Sequence, residues 1–303
     1  MSKRTKDHEP TDPLVKNPSR REFVGLTAVA GLAAYGGVAA AAEANVVAND
    51  VVLTTPDGNC DAAFFHPANG AHPGVLIWTD AFGLRPTFRD LGKRLAAHGY
   101  AVLVPNPFYR MAKAPVYTEA EVSSFDFQDP GQMAKVKQFM ASPTAPDAAE
   151  ADAKAFVAFL GAQKQVNPAK KLGAQGYCMG GALVLRTAAT VADRIGAAAS
   201  FHGGGLVTDK PDSPHLLAPR IKARLYIAIA SNDNQRQPDA KDKLRRAFTA
   251  AGVAADIEVY AGTRHGWCVA DMPVQNGQPI YSKADAERAW SKLLGLYETA
   301  LAS

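Results

Sequence analysis

Short, almost wholly apolar runs alternate along the chain with longer amphipathic stretches, and turn residues separate them. Residues 74–78, 101–104 and 224–230 are near-continuous hydrophobic runs, as expected of strands buried on both faces. Residues 255–260 alternate apolar and polar, and residues 171–175 form a further strand. Between them lie helical patterns. Residues 86–98 begin with proline and stop at Gly99, 147–161 start at the capping Asp147, and 240–251 end at Gly252. A last helix spans 284–301. Residues 45–54 and 61–65 read as a leading hairpin around Pro56-Asp57-Gly58. Residues 107–130 lack periodicity and carry Phe108, Tyr109, Arg110, Tyr117, Phe125 and Phe127, which predicts a long aromatic loop above the strand ends. Strand–helix alternation of this kind predicts a mostly parallel central sheet with helices on both faces.

Composition adds bounds rather than chemistry. The 303 residues, 47% of them apolar, suit one domain with a large core. A formal charge of +4 with scattered Lys and Arg argues against nucleic acid or an acidic membrane surface as partner. No repeat and no C-x-x-C metal spacing is present, and no cofactor is expected. The amino terminus stands apart. Ser19-Arg20-Arg21-Glu22-Phe23-Val24-Gly25 resembles a twin-arginine export motif, a moderately apolar Ala/Gly stretch follows, and residues 40–44 offer a small-residue cleavage site. A membrane anchor is the rival reading, and the weak hydrophobicity favours cleavage. The expected organisation is a signal peptide over 1–44 and one domain over 45–303. The Tat export machinery would then be a partner and the location periplasmic or secreted. With three cysteines, Cys60, Cys178 and Cys268, at least one thiol must stay free in an oxidising compartment; a Cys60–Cys268 bond is the remaining pairing.

The chemistry centres on Gly176-Tyr177-Cys178-Met179-Gly180, directly after a strand and before a small-residue helix. That is the G-x-nucleophile-x-G elbow of α/β-hydrolases with cysteine as the nucleophile. The partners follow in the order this fold requires: Asp233 just past the strand 224–230, then His265 just past the strand 255–260. The bland alternative makes Cys178 a structural thiol, Asp233 a turn former and His265 a loop residue. His202-Gly203-Gly204 follows the nucleophile instead of preceding it, so His202 is expected to line the pocket and not to form an oxyanion hole. Trp267 is a further candidate for substrate contact.

Taken together, these stretches are similar to the dienelactone hydrolase family, the cysteine branch of the α/β-hydrolases. The likeness extends over Trp78-Thr79-Asp80-Ala81-Phe82-Gly83-Leu84-Arg85-Pro86, residues 95–110, residues 199–204 and His265-Gly266-Trp267. The resemblance implies an acyl-thioester on Cys178, with His265 moving protons and Asp233 orienting it. It implies an oxyanion hole from the N–H groups of Met179 and Ala81, and a thiol-activating carboxylate at Asp80, where the family has glutamate. It also implies substrate contact by Tyr109 and Arg110. No arginine stands shortly after His265, where the family holds a substrate carboxylate, so either Arg85 or Arg264 substitutes or the substrate is not a dienelactone carboxylate. The expected function is hydrolysis of a lactone or small carboxylic ester by a monomer or small homo-oligomer. The alternatives are a thioesterase or general carboxylesterase, and a non-catalytic ligand-binding or thiol-sensing protein.

Overall fold

Strand β3 (Gly74–Trp78) shows how the sheet is buried. Val75 and Ile77 point into one hydrophobic layer and Leu76 and Trp78 into the other, because successive side chains of a strand face opposite ways. The computed structural model describes residues 45–302, so the expected leader over 1–44 lies outside the described residues. The chain opens with a hairpin, β1 (Val46–Thr55) and β2 (Gly58–Pro67), followed by β3, α1 (Pro86–Ala97) and β4 (Ala101–Pro105). Then come α2 (Glu119–Ser123), α3 (Pro130–Thr144), α4 (Pro146–Ala162), β5 (Leu172–Tyr177), α5 (Met179–Thr190) and β6 (Ile195–Phe201). The last part contains β7 (Arg224–Ala230), α6 (Ser231–Arg236), α7 (Ala240–Ala250), β8 (Ala255–Tyr260), the short hairpin β9 (Val274–Gln275) and β10 (Gln278–Pro279), and α8 (Lys283–Ala300).

Among the described residues one eight-stranded sheet runs in the order β1-β2-β4-β3-β5-β6-β7-β8. The β1–β2 and β2–β4 pairs are antiparallel and the rest are parallel. Helices α4, α5 and α7 cover one face through Phe156, Leu160, Leu183, Val184, Leu244 and Phe248. Helices α1 and α8 cover the other through Phe88, Leu95, Trp290, Leu293 and Tyr297. This is the α/β-hydrolase architecture expected from the sequence. A buried polar bridge ties α8 to the central strand: Tyr297 Oη donates to Gln175 Oε1 at 3.0 Å, and Gln175 Nε2 donates to Tyr177 Oη at 2.9 Å. Every polar group in that chain has a partner, so its burial is compensated.

Within residues 107–130, expected as a loop, the chain forms α2, and α3 follows directly from Pro130. Thr118 and Glu121 form a reciprocal cap on α2, and the Asp129 carboxylate accepts from the N–H groups of Gly131 and Gln132 to open α3. Phe139 and Met140 of α3 reach the sheet-covering layer, but the fully buried side chains of α2 and α3 lie apart from it. Val122, Phe125 and Val136 pack with Tyr117, Ala81 and Phe82 into a third hydrophobic cluster, against which Met133, Met140 and Cys178 lie. Residues 231–236, just past β7, form the short helix α6. All three cysteines are free, and the Cys60 thiol donates to the Asn106 carbonyl at 3.4 Å, so the Cys60–Cys268 pairing is not formed. Among the described residues no helix is long and apolar enough to cross a membrane.

Candidate active site

The elbow is enforced by contacts that only glycine tolerates. A Cβ on Gly176 would fall 2.0 Å from the Gly180 carbonyl oxygen, and one on Gly180 would fall 2.6 Å from the carbonyl oxygens of Trp78 and Thr79. With strand and helix this close, Cys178 takes φ 52° and ψ −113°, a backbone conformation that side chains other than glycine rarely adopt. Such strain costs on the order of 1–3 kcal/mol and persists where surrounding structure imposes it. The Cys178 N–H donates to Phe201 O at 3.1 Å, and its carbonyl accepts from Gly181 and Gly204, so the apex is pinned to β6 and α5.

His265 and Asp233 are brought to this apex by parallel neighbours. β7 and β8 pair up to Ala230–Tyr260, and the hydroxyl of Thr263 ties their ends together, donating to Tyr260 O and accepting from the Ser231 N–H. Asn232 Oδ1 then accepts from the His265 N–H at 2.9 Å. Asp233 lies in the first turn of α6, and its Oδ2 accepts from His265 Nδ1 at 2.7 Å. That bond occupies Nδ1 and leaves Nε2 as the ring nitrogen available to the neighbouring thiol. Burial works against a charged His265, yet the adjacent Cys178 sulfur and Asp233 carboxylate outweigh it and push the imidazole up to about 10. The three candidate residues are therefore coupled in one constellation.

The amide N–H groups of Met179 and Ala81 donate to no other protein group among the described residues. Met179 is the first residue of α5, so its N–H is one of the orphan donors of a helix start. Ala81 sits in a loop braced by its neighbours, with Gly83 N–H donating to Asp80 O and Phe82 N–H donating to Asp80 Oδ1. Two unpartnered donors beside a nucleophile can stabilise a developing oxyanion.

Several expected contacts are corrected. Asp80 borders the same cavity as Cys178, but its carboxylate is committed elsewhere. Arg85 grips both of its oxygens, at 2.6 and 2.9 Å, and also binds Asp271 at 2.7 and 2.8 Å. The Arg85 side chain is wholly buried, so it cannot swing to a substrate. Tyr109 and Arg110 face away from the cavity beside Cys178. Both bind the buried Asp152 of α4, and Arg110 also binds Asp57 of the hairpin turn. Trp267 is fully buried and stacks on Tyr260 at 4.3 Å. His202 is also fully buried, edge to face with His265 at 4.9 Å. Burial and the neighbouring His265 hold it well below the usual histidine range, so it is neutral. Arg264, in contrast, does line the cavity.

That cavity, about 360 Å³, opens over Cys178 and His265. Phe82, Phe127, Met133, Val136 and Met140 make an apolar part of its lining; Asn232, Arg236, Arg264 and Gln275 are polar, and Asp80, Met272 and Ile280 also border it. The α3 wall escaped sequence reading because no helix was recognised there. Asn232 could have been found, since it adjoins Asp233 just past the same strand.

The Dienelactone hydrolase family pattern matches residues 60–301, and the chain belongs to that family. It is a hydrolase of the ester or lactone type. A protein of Synechocystis sp. named "Putative carboxymethylenebutenolidase" is 26% identical, covering 82% of this chain and 96% of its own. One of Methylorubrum extorquens with the same name is 28% identical, covering 91% of each. Among solved structures, a dienelactone hydrolase-like promiscuous phosphotriesterase from metagenomic libraries superposes with a TM-score of 0.68 at 22% identity, covering 84% of this chain and 99% of its own. A dienelactone hydrolase from Anabaena variabilis superposes with a TM-score of 0.58 at 15% identity, covering 84% and 99%. These two likenesses speak to the fold.

Proposed function

We propose that this member of the dienelactone hydrolase family cleaves a carboxylic ester or lactone through a Cys178–His265–Asp233 triad. The observation that carries the reading is Cys178 at positive φ on the elbow, coupled to a His265 whose Nδ1 is held by Asp233. His265 Nε2 takes the thiol proton before the attack, in keeping with its raised affinity for a proton, and the Cys178 sulfur then attacks the carbonyl carbon. The carbonyl oxygen, now negative, lies between the N–H groups of Met179 and Ala81. The tetrahedral adduct collapses, the carbon–oxygen bond breaks, and His265 returns the proton to the departing alkoxide. Water, deprotonated by His265, then attacks the acyl-thioester; the acid leaves and the thiol is restored. Asp80 takes no part in proton transfer on this reading, because both of its oxygens are committed to Arg85.

Initial rates on an activated ester, a neutral lactone and a carboxylated dienelactone, with Cys178→Ala as the comparison, test the proposal. Turnover that depends on Cys178 supports it, and equal rates in both proteins sink it. The pocket carries no bidentate clamp from Arg85 or Arg110, which favours the neutral substrates. Export through the twin-arginine route follows from Arg20 and Arg21 in the leader motif and is part of the proposal. Arg20→Lys with Arg21→Lys should hold the full-length protein in the cytoplasm of an exporting host. A periplasmic product from that variant would overturn the assignment.

A further inference from the structure

The two walls of the cavity differ in polarity, and the proposed reaction assigns each wall to one end of the substrate. His265 must protonate the leaving oxygen, so the alcohol part lies on its side. The polar groups there are Asn232, Arg236, Arg264 and Gln275, with Met272 and Ile280 packed against Gly266 beside them. Arg264 donates to the carbonyls of Gln275 and Gln278, at 3.2 and 3.1 Å, and has no acidic partner among the described residues. Arg236 reaches Asp233 only at 3.3 Å and is 71% exposed. Away from His265 the wall is apolar: Phe82 and Phe127 with Met133, Val136 and Met140 of α3. Methionine side chains are flexible and polarizable, so such a wall adapts to chains of different shape.

Resting on the Cys178 reading above, we propose that the site takes esters with a flexible, unbranched apolar acyl chain and a polar, anion-tolerant alcohol. The acyl chain lies along Met133 and Met140, and an anionic group on the alcohol faces Arg236 and Arg264. A carboxylate on the acyl end would instead meet a hydrocarbon wall, where nothing replaces its hydration.

The test is kcat/KM for a series of p-nitrophenyl esters from acetyl to decanoyl. Hexanoyl carries four more methylenes than acetyl, each worth up to ~4-fold when buried, so even half-buried the chain should raise the rate by about tenfold. The p-nitrophenyl monoester of suberic acid, equal in length to the octanoyl ester but ending in carboxylate, should fall at least about tenfold below it. A carboxylate on the phenol ring should be tolerated within about threefold, because the arginines face it. Met140→Asp should lower the octanoyl-to-acetyl ratio by about tenfold. Should that variant not fold, the wild-type series decides alone. An acetyl preference, or equal rates for the octanoyl and suberic monoesters, would overturn the assignment of the acyl wall. If Cys178→Ala is inert in that case, the triad reading stands and only the acyl assignment fails. Turnover persisting in Cys178→Ala overturns both.

Discussion

Replacing Asp80 by asparagine separates two roles that one carboxylate could have in this site. If Asp80 accepts the thiol proton, the change should abolish turnover and leave the fold sound. The structure instead places it against Arg85, with both side chains almost wholly buried and two bonds of 2.6 and 2.9 Å between them. Asparagine is nearly isosteric and keeps an oxygen for the Phe82 N–H, so the loss is chiefly one negative charge. Arg85 would then have only Asp271, whose side chain is 13% exposed, to balance a buried guanidinium. Breaking a buried pair costs about 3–5 kcal/mol, and the remaining carboxylate places this case near about 3 kcal/mol. For a domain of this size such a loss lowers the melting midpoint by roughly 6–12 °C. Turnover should fall only as far as the Ala81 loop loosens, roughly tenfold, against the hundredfold or more of a lost oxyanion donor or base. Urea unfolding followed by circular dichroism, with kcat measured well below the transition, reads both effects. A variant as stable as the wild type but slowed a thousandfold would refute the reasoning and return Asp80 to proton transfer.

Arg110→Ala should destabilise the domain by roughly 2–4 kcal/mol, since it strips an ion pair from the fully buried Asp152. It should change ester kcat/KM by less than about threefold, because Arg110 faces away from the cavity; a large rise in KM for carboxylated substrates would show that it does bind them. Gly180→Ala places a Cβ 2.6 Å from two backbone carbonyls and should cost roughly 1–3 kcal/mol along with most of the activity, as thermal melts and initial rates would show. Because His265 is raised from 6.5 to about 10, its contribution to stability is complete below the ordinary histidine value. That contribution is lost as pH climbs through about 10. The urea midpoint should decline over that window. In Cys178→Ala the imidazole titration, followed by NMR, should move downward, and an unmoved titration would remove the sulfur as its cause.

Much of the site is legible in the sequence because its causes are local. Gly176 is demanded by contact with Gly180 across the turn itself, while Gly180 and Gly181 also meet Trp78, Thr79, Ser200 and Gly203 of the neighbouring strand ends; Asp233 and His265 follow strands whose hydrophobic runs are plain. The parallel sheet aligns those strand ends without any further signal. Long-range partners were not legible. Nothing near Arg110 announces that it belongs to Asp152, nor does anything near Asp80 show that Arg85 and Asp271 hold it. Trp267 looked like a pocket residue from its closeness to His265, but stacking on Tyr260 turns it into the core. Helix α3 was hidden because its apolar residues are divided among a small aromatic cluster, the cavity and the sheet-covering layer, which leaves no clean periodic stripe. Consequently the residues forming one wall of the pocket were those least visible in the chain.

The most direct measurement is the intact mass of the enzyme after rapid acid quench during turnover of an activated ester, followed by peptide mapping. A mass increase equal to the acyl group, located on the peptide containing Cys178 and absent from Cys178→Ala, is expected. Steady turnover with no adduct on Cys178, together with an active Cys178→Ala, would contradict the nucleophile assignment on which the mechanism rests.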